Sequence, residues 1–228
     1  MRRVTLLWAD LDRVPEPWLA RLPGPFLDRC RAVADPVRGR HRAAARAFLE
    51  TALATVTGRP QEAIRFGTGP HGKPFLEGGP PFSLADSTGL AVLAVGSAIE
   101  VGVDLERVRP VRRFGRIAAR FLGEEAAADL ADAVRRGAWD GPIAAWCRFE
   151  AWTKARGTGI AAAGPSPAGI HRPAPPPGRT LPKAPEAPDG WRLVDLDPPQ
   201  GFRAALVAAG SAPVELCRAV LVDSPAVG

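Results

Sequence analysis

The 228-residue chain has no tyrosine, one methionine, three histidines and three cysteines. Cys30, Cys147 and Cys217 stand far apart without a CxxC pair, which excludes a recognisable zinc site or disulfide framework and suits a reducing cytoplasm. No stretch approaches the roughly 18 uninterrupted apolar residues of a membrane-spanning helix. The apolar run at the N-terminus stops at Asp10, too short for the core of a secretory signal. A soluble cytoplasmic protein with no membrane association is the expectation. With only His41, His71 and His171 available, no G-x-S-x-G and no cysteine in a nucleophile context, hydrolase triads are excluded. No G-x-G-x-x-G opens a helix after a strand and G-x-x-x-x-G-K-[ST] is absent, so dinucleotide and P-loop readings fall as well. Lysine is scarce too: Lys73, Lys154 and Lys183 are the only ones among 30 basic residues, the other 27 being arginine.

What is present is ordinary globular composition, 46% apolar and 24% charged, with an unusual 25 prolines and 24 glycines. The length allows one large domain or two halves. A net charge of +6 and a pI near 10.2 favour an acidic partner, which could be nucleic acid, a phosphorylated cofactor or an acidic protein. The nucleic-acid reading is the weakest, because helix-turn-helix, zinc and aromatic-platform signatures are missing and the arginines are scattered.

Val4–Trp8 reads as a strand and the proline-rich Pro15–Pro25 as a loop. Val37–Thr57, preceded by Pro36 and closed by Gly58, reads as a helix with one apolar face; Arg38, Arg42 and Arg46 share another face, either solvated or facing a ligand. After a turn-rich segment, Leu90–Gly96 and Ile99–Glu106 read as strands joined through Ser97-Ala98 into a hairpin. Alternation puts Asp104 and Glu106 on one face of the second strand, with Val103 and Leu105 on the other. Helices are expected over Arg112–Phe121, Gly123–Arg136 and Pro142–Arg156, the last carrying Glu150 and Lys154 one turn apart. Ala161–Gly190, dense in Pro and Gly, reads as a mobile insert, and strands follow on both sides of Pro198-Pro199, with a possible last one at the C-terminus.

Three carboxylates without His or Cys describe a hard-cation site of the Mg²⁺ type, and a neighbouring lysine could neutralise charge on a phosphate. The alternative is a set of solvated acids on separate elements.

Four ordered blocks carry a resemblance to a family. GVDLERVRP (Gly102–Pro110) resembles the G-[IV]-D-[IL]-E-x-x-R-P signature of the 4′-phosphopantetheinyl transferases. WCRFEAWTKARGTGI (Trp146–Ile160) is similar to their W-x-x-K-E-[AS]-x-x-K-x-x-G-x-G-[LI]. HGKPFLEGGPPFSLADS resembles G-K-P-x-L followed by F-N-[IL]-S-H-S, and RFLGEEAAADL resembles R-F-[FL]-x-x-x-E. The resemblance runs from about Arg29 to Gly210, and the length suits the larger, pseudo-dimeric class that serves polyketide and non-ribosomal peptide carrier domains. It implies an α+β fold of two similar halves, 1–105 and 106–228, with the site in the cleft between them and the 161–190 insert in the second.

The resemblance also implies a monomeric enzyme of secondary metabolism that moves 4′-phosphopantetheine from coenzyme A to a serine of an acyl or peptidyl carrier protein, releasing 3′,5′-ADP. By position, Asp104, Glu106 and Glu150 would hold Mg²⁺, Glu150 would also act as base, and Lys154 would stabilise charge on the pyrophosphate. Gly72, Lys73 and Pro74 would line the nucleotide pocket, and Arg29 would contact a phosphate of the coenzyme. Two positions depart from the pattern. Ala85-Asp86 stands where the family has S-H, placing an anion at a phosphate-binding position, and Phe149 stands where it has Lys. Coenzyme A binding then requires cations from elsewhere, such as Arg42, Arg46 or Arg148, or is weakened by Asp86. The alternative is a degenerate or repurposed homologue acting as a non-catalytic carrier-protein-binding module.

Overall fold

The structure is a computed structural model describing residues 2–162, 166–167, 170, 190–210 and 214–220. The fold is α+β. In chain order it comprises β1 (Arg2–Asp10), α1 (Glu16–Leu19), α2 (Gly24–Arg31), α3 (Pro36–Thr57), β2 (Phe66–Thr68), β3 (Pro74–Leu76), β4 (Phe82–Ser87), β5 (Leu90–Gly96) and β6 (Val101–Arg107). There follow α4 (Phe114–Phe121), α5 (Glu124–Arg135), α6 (Asp140–Arg156), α7 (Gly159–Ala162), β7 (Trp191–Leu196), β8 (Phe202–Ala209) and β9 (Val214–Val220). Among the described residues no helix is long and apolar enough to cross a membrane.

Two sheets lie face to face. The first has the order β4-β5-β1-β9, antiparallel except for the parallel β1–β9 pair; the second is the antiparallel β6-β8-β7. Alternation along each strand explains the layering. Leu7 and Ala9 of β1 and Ala91, Leu93 and Val95 of β5 point to α3, whose Ala44, Phe48, Ala52 and Leu53 are fully buried against them. The opposite faces, with Val4, Leu6, Trp8, Val92 and Ala94, meet Val101, Val103, Leu105, Leu206 and Ala208 of the second sheet. Ala205 and Val207 on the outer face of that sheet pack against α6, with α4 and α5 beyond. The order of layers is helix, sheet, sheet, helix, compatible with two related halves. A strand buried on both faces needs no polar residues, which is why LAVLAVG is apolar throughout.

The helix expected at Val37–Thr57 is α3, with the Asp35 carboxylate accepting from the Val37 and Arg38 N–H groups and Gly58 closing it at φ 65°. Three expectations need correction. The strands Leu90–Gly96 and Ile99–Glu106 do not form a hairpin: both edges of β5 are occupied, by β4 and β1, and the chain crosses to the second sheet. Ala98 turns it at φ 60°, and Gly96 is required there because a Cβ would lie 2.2 Å from the Ile99 carbonyl oxygen. The Pro15–Pro25 loop holds α1 and α2, whose prolines sit before or within the first turn, where a missing N–H costs nothing. The turn-rich segment before Leu90 contains the β2–β3 hairpin and β4.

Most of the 161–190 insert lies outside the described residues. At two described points it packs: Ile170 is 1% exposed in the core beneath α6, and the Ser166 N–H donates to the Phe121 carbonyl oxygen at 3.1 Å.

Gly102 sets how closely α6 lies on β6, since a Cβ there would fall 2.1 Å from the Ala151 carbonyl oxygen and 2.2 Å from the Ala155 nitrogen. These are backbone atoms of a helix packed on its other side, so relief requires moving the helix. Gly102→Ala should destabilise the protein by about 3 kcal/mol, read as a lowered urea midpoint; an unchanged midpoint would show that α6 yields without cost.

Candidate active site

The close approach at Gly102 brings the last turns of α6 alongside the polar face of β6. Asp104, two residues along the strand, faces Lys154, with Nζ 2.6 Å from Oδ1. Glu150, one turn earlier on the same helix face, has its Oε2 3.9 Å from the ammonium. Burial is deep for charged groups: the Asp104 side chain is 5% exposed and that of Glu150 18%. Glu106 follows on the same strand face, half-buried, accepting from the Ser87 hydroxyl of β4 at 3.0 Å. The Arg107 N–H donates to that hydroxyl at 3.2 Å, and the Val103 N–H to Ser83 Oγ at 3.1 Å. Two serine hydroxyls thus join edge strands of the two sheets, and the carboxylates stand at that seam.

The seam opens into a cleft of about 940 Å³ lined by Glu106, Arg109, Asp86, Ser87 and Thr88, and by Arg38, His41, Arg42 and Arg46 of α3. A smaller cavity of about 280 Å³ touches Glu106 and Glu150 and is walled by Phe114, Ile117, Ile143 and Trp146.

Not every sequence-predicted residue gathers here. Asp86 of β4 does, solvent-exposed in the cleft. The surrounding walls still desolvate its carboxyl enough to push it above the usual range; Lys154 and His41 pull it back and Asp104 adds to the rise. Arg29 is exposed on α2, 5.8 Å from the centre of the Phe26 ring, and Arg42, which lines the cleft, lies 5.9 Å from the same ring. Gly72, Lys73 and Pro74 lie elsewhere. Gly72 takes φ 87° in the β2–β3 turn, and Lys73 and Pro74 line a separate cavity of about 490 Å³ with Trp191. The Lys73 ammonium is a strut there, bonded to Glu100 at 2.9 Å and to the carbonyl oxygens of Val101 and Ala155 at 3.1 and 3.4 Å.

Of the arginines offered as compensating cations, Arg42 faces the cleft. Arg46 lines it but pairs with Glu50 at 2.6 Å, and Arg148 is buried, bonded to Asp195 of β7 at 2.7 Å. Arg109 and His41 went unassigned in the sequence. Arg109 sits inside the signature itself, whereas His41 carries no local signal beyond its place on the arginine-bearing helix.

Residues 100–207 match the model of the 4′-phosphopantetheinyl transferase superfamily, a span holding β6, α6 and the whole carboxylate–lysine cluster. The chain is also 29% identical over 199 residues, 84% of this chain and 80% of the relative, to the 4′-phosphopantetheinyl transferase HetI of Nostoc sp.. Both likenesses are to 4′-phosphopantetheinyl transferases.

The site holds three carboxylates around one lysine, and their protonation reflects their burial and crowding. Burial, then the Asp104 charge, pushes Glu150 from its ordinary 4.5 up to about 7, with Lys154 opposing. Burial also raises Glu106, against its Ser87 hydrogen bond. Lys154 loses by burial but gains more from Asp104 and Glu150, and stays firmly protonated. Folding therefore favours neutral Glu150. That contribution is complete below the unfolded value of 4.5 and is lost as pH rises through about 7, a change of about 3 kcal/mol. Glu150→Gln should match the wild type near pH 4 and exceed its stability by about 3 kcal/mol near pH 8, measured as urea midpoints.

Proposed function

We propose that this chain is a phosphopantetheinyl transferase that moves 4′-phosphopantetheine from coenzyme A to a serine hydroxyl of an acyl or peptidyl carrier protein of secondary metabolism, acting as a cytoplasmic monomer at the cleft between halves 1–105 and 106–228. The observation that carries the reading is the Asp104–Lys154–Glu150 cluster, next to Glu106, which lines a cleft carrying Arg38, His41 and Arg42.

Among the described residues no three His, Cys, Asp or Glu stand together at ligating spacing, the Lys154 ammonium being on Asp104 Oδ1. The donor set fits Mg²⁺ nonetheless. Asp104 Oδ2 is buried without a hydrogen-bond partner. Glu106 and Glu150 add hard oxygens, and both are raised, by burial first and by the neighbouring carboxylates after it. Cys147, the soft atom nearby, is held as a neutral thiol, burial and then Asp104 and Glu106 pushing it well above its ordinary range, and it contacts the Arg203 carbonyl oxygen at 3.3 Å. Asp104, Glu106 and Glu150 would hold the ion, which supplies charge neutralisation on the pyrophosphate oxygens.

The chain's own groups do the rest. Glu150 takes the proton of the carrier serine. The serine oxygen attacks the phosphorus bearing pantetheine, the bond to the bridging oxygen breaks, and 3′,5′-ADP leaves. Lys154 stabilises the charge that accumulates on the pyrophosphate. Arg42 offers charge to the nucleotide's phosphates from the cleft wall, whereas Lys73 and Pro74 line the separate cavity and Arg29 is not part of the cleft lining.

Incubation of an apo carrier protein with coenzyme A and Mg²⁺ should add the mass of one phosphopantetheine by intact-mass spectrometry, and a chelator should stop it. Asp104→Ala should lower turnover at least about a hundredfold with folding intact, and should abolish the rise in melting temperature that Mg²⁺ gives the wild type. Turnover near wild type in that variant would overturn the metal assignment.

A further inference from the structure

Lys73 borders its cavity with an ammonium that is already engaged. Nζ lies 2.9 Å from Glu100 Oε2, 3.1 Å from the Val101 carbonyl oxygen and 3.4 Å from that of Ala155. Three acceptors use the three donors of an ammonium, which leaves none for a ligand. The Glu100 side chain is 55% exposed, so this ion pair is a surface one and contributes little. The two carbonyl oxygens are the informative partners. Val101 immediately precedes Gly102, and Ala155 immediately follows Lys154. The ammonium therefore bridges the strand–helix contact whose closeness Gly102 sets, one residue from the lysine that meets Asp104.

The end of α6 has a use for such a donor, because the last carbonyl groups of a helix find no partner within it. Gly157 closes α6 at φ 68°, its N–H donating to the Thr153 and Lys154 carbonyl oxygens, and the Thr158 N–H donates to Thr153 as well. Ala155 carries the next carbonyl, and the donor that reaches it is Lys73, 82 residues earlier in the chain. A cation at this end also complements the helix dipole. The turn that delivers the lysine is itself fixed. The Gly69 N–H donates to the Lys73 carbonyl oxygen at 2.9 Å and the Gly72 N–H to that of Gly69 at 3.0 Å. The lysine stem lies against the helix end, since a Cβ on Gly157 would fall 3.4 Å from Lys73 Cδ.

Resting on the coenzyme A reading, we propose that Lys73 is a positioning residue, which holds the end of α6 on β6 through the Ala155 and Val101 carbonyl groups and so keeps the Lys154 ammonium at Asp104. Its side chain acts through Lys154 and does not touch the nucleotide. A nucleotide contact at Lys73 would appear in coenzyme binding, and a strut of structural importance alone would appear in stability and leave Lys154 where it is.

The test is Lys73→Met in the full chain, assayed with coenzyme A, Mg²⁺ and an apo carrier protein. Its kcat should fall about tenfold while KM for coenzyme A stays within about twofold. Glu100→Gln should leave both values within about twofold, because the carbonyl contacts remain. A second measurement needs no activity. With ¹⁵N-lysine labelling the three lysines of the chain give three side-chain ammonium signals, and in ligand-free Lys73→Met that of Lys154 should move. Lys73→Gln, one bond shorter than lysine, serves for both measurements if Lys73→Met does not fold. A raised KM with unchanged kcat makes Lys73 a nucleotide contact and overturns the proposal. So does an unmoved Lys154 signal in a folded variant, whether or not stability has dropped. A wild type that modifies no carrier protein overturns the transferase reading alone, since the Lys154 signal still decides whether Lys73 places the end of α6.

Discussion

Lys154 reaches Asp104 because nothing stands between α6 and β6 at Gly102. An isolated buried carboxylate costs several kcal/mol, and Asp104, fully enclosed between a strand and a helix, would be such a charge without the ammonium 2.6 Å away. The ammonium in turn can lie there only if the helix is within backbone contact of the strand two residues earlier. Register supports the same approach from below: Asp104 and Gly102 are paired in the sheet with Ala205 and Val207, both buried against α6. The apolar contacts around the pair hold it dry, and the glycine fixes its length. Packing and site chemistry are therefore set by one distance between one helix and one strand.

The ion pair does not balance the site. One lysine serves Asp104 and Glu150, and Glu106 has a serine hydroxyl in place of a cation. Burial, and after it the neighbouring negative charge, leaves carboxyl groups that hold their protons to higher pH than free side chains do. A fold selected for stability alone would remove one of these acids. Keeping them makes sense when a cation and a phosphate enter together, because the destabilised negative charge is then relieved only in the loaded state. Glu106 also ties this balance to the seam between the sheets, since Ser87 bonds both its carboxylate and the Arg107 backbone.

The part of the site that could be read from sequence is the part encoded by two short periodicities. The period of two on a strand places Asp104 and Glu106 on one face, and the period of four on a helix places Glu150 above Lys154; only their convergence needed the structure. The long helices were likewise legible, α3 from its apolar stripe and its proline and glycine ends. What failed depended on partners distant in the chain. Nothing local in Leu90–Gly96 shows that its hydrogen-bonding edges belong to β1 and β4, so a short link to the next strand looked like a hairpin. Prolines at Pro17 and Pro25 looked like loop residues because a first-turn proline and a loop proline are alike until the helix beyond them is seen. Lys73 sits in a turn suggestive of a phosphate cradle, yet its ammonium is spent on Glu100 and two carbonyl oxygens from elements some 28 and 82 residues away.

The two departures from the family pattern have different physical meanings. Position 149 points into the core under α6, where Phe149 is fully buried with the Phe121 and Trp146 rings at 6.0 and 5.8 Å. In this packing a lysine there would be a buried charge without an acid, and the adjacent Arg148 is tolerated only because Asp195 meets it from β7. Phe149 therefore removes a cation by filling the core. Asp86 is the opposite case, a charge left in the open cleft, close enough to Lys154 and His41 for both to act on it. An anion at that place is compatible with phosphate binding only if positive charge on the facing wall exceeds it, and α3 presents Arg38, His41 and Arg42 there on successive turns. The requirement for charge is a property of the cavity. Any side chain that reaches the cavity contributes to it, so a motif read one strand at a time reports Asp86 without the Arg38, His41 and Arg42 that line the same cleft.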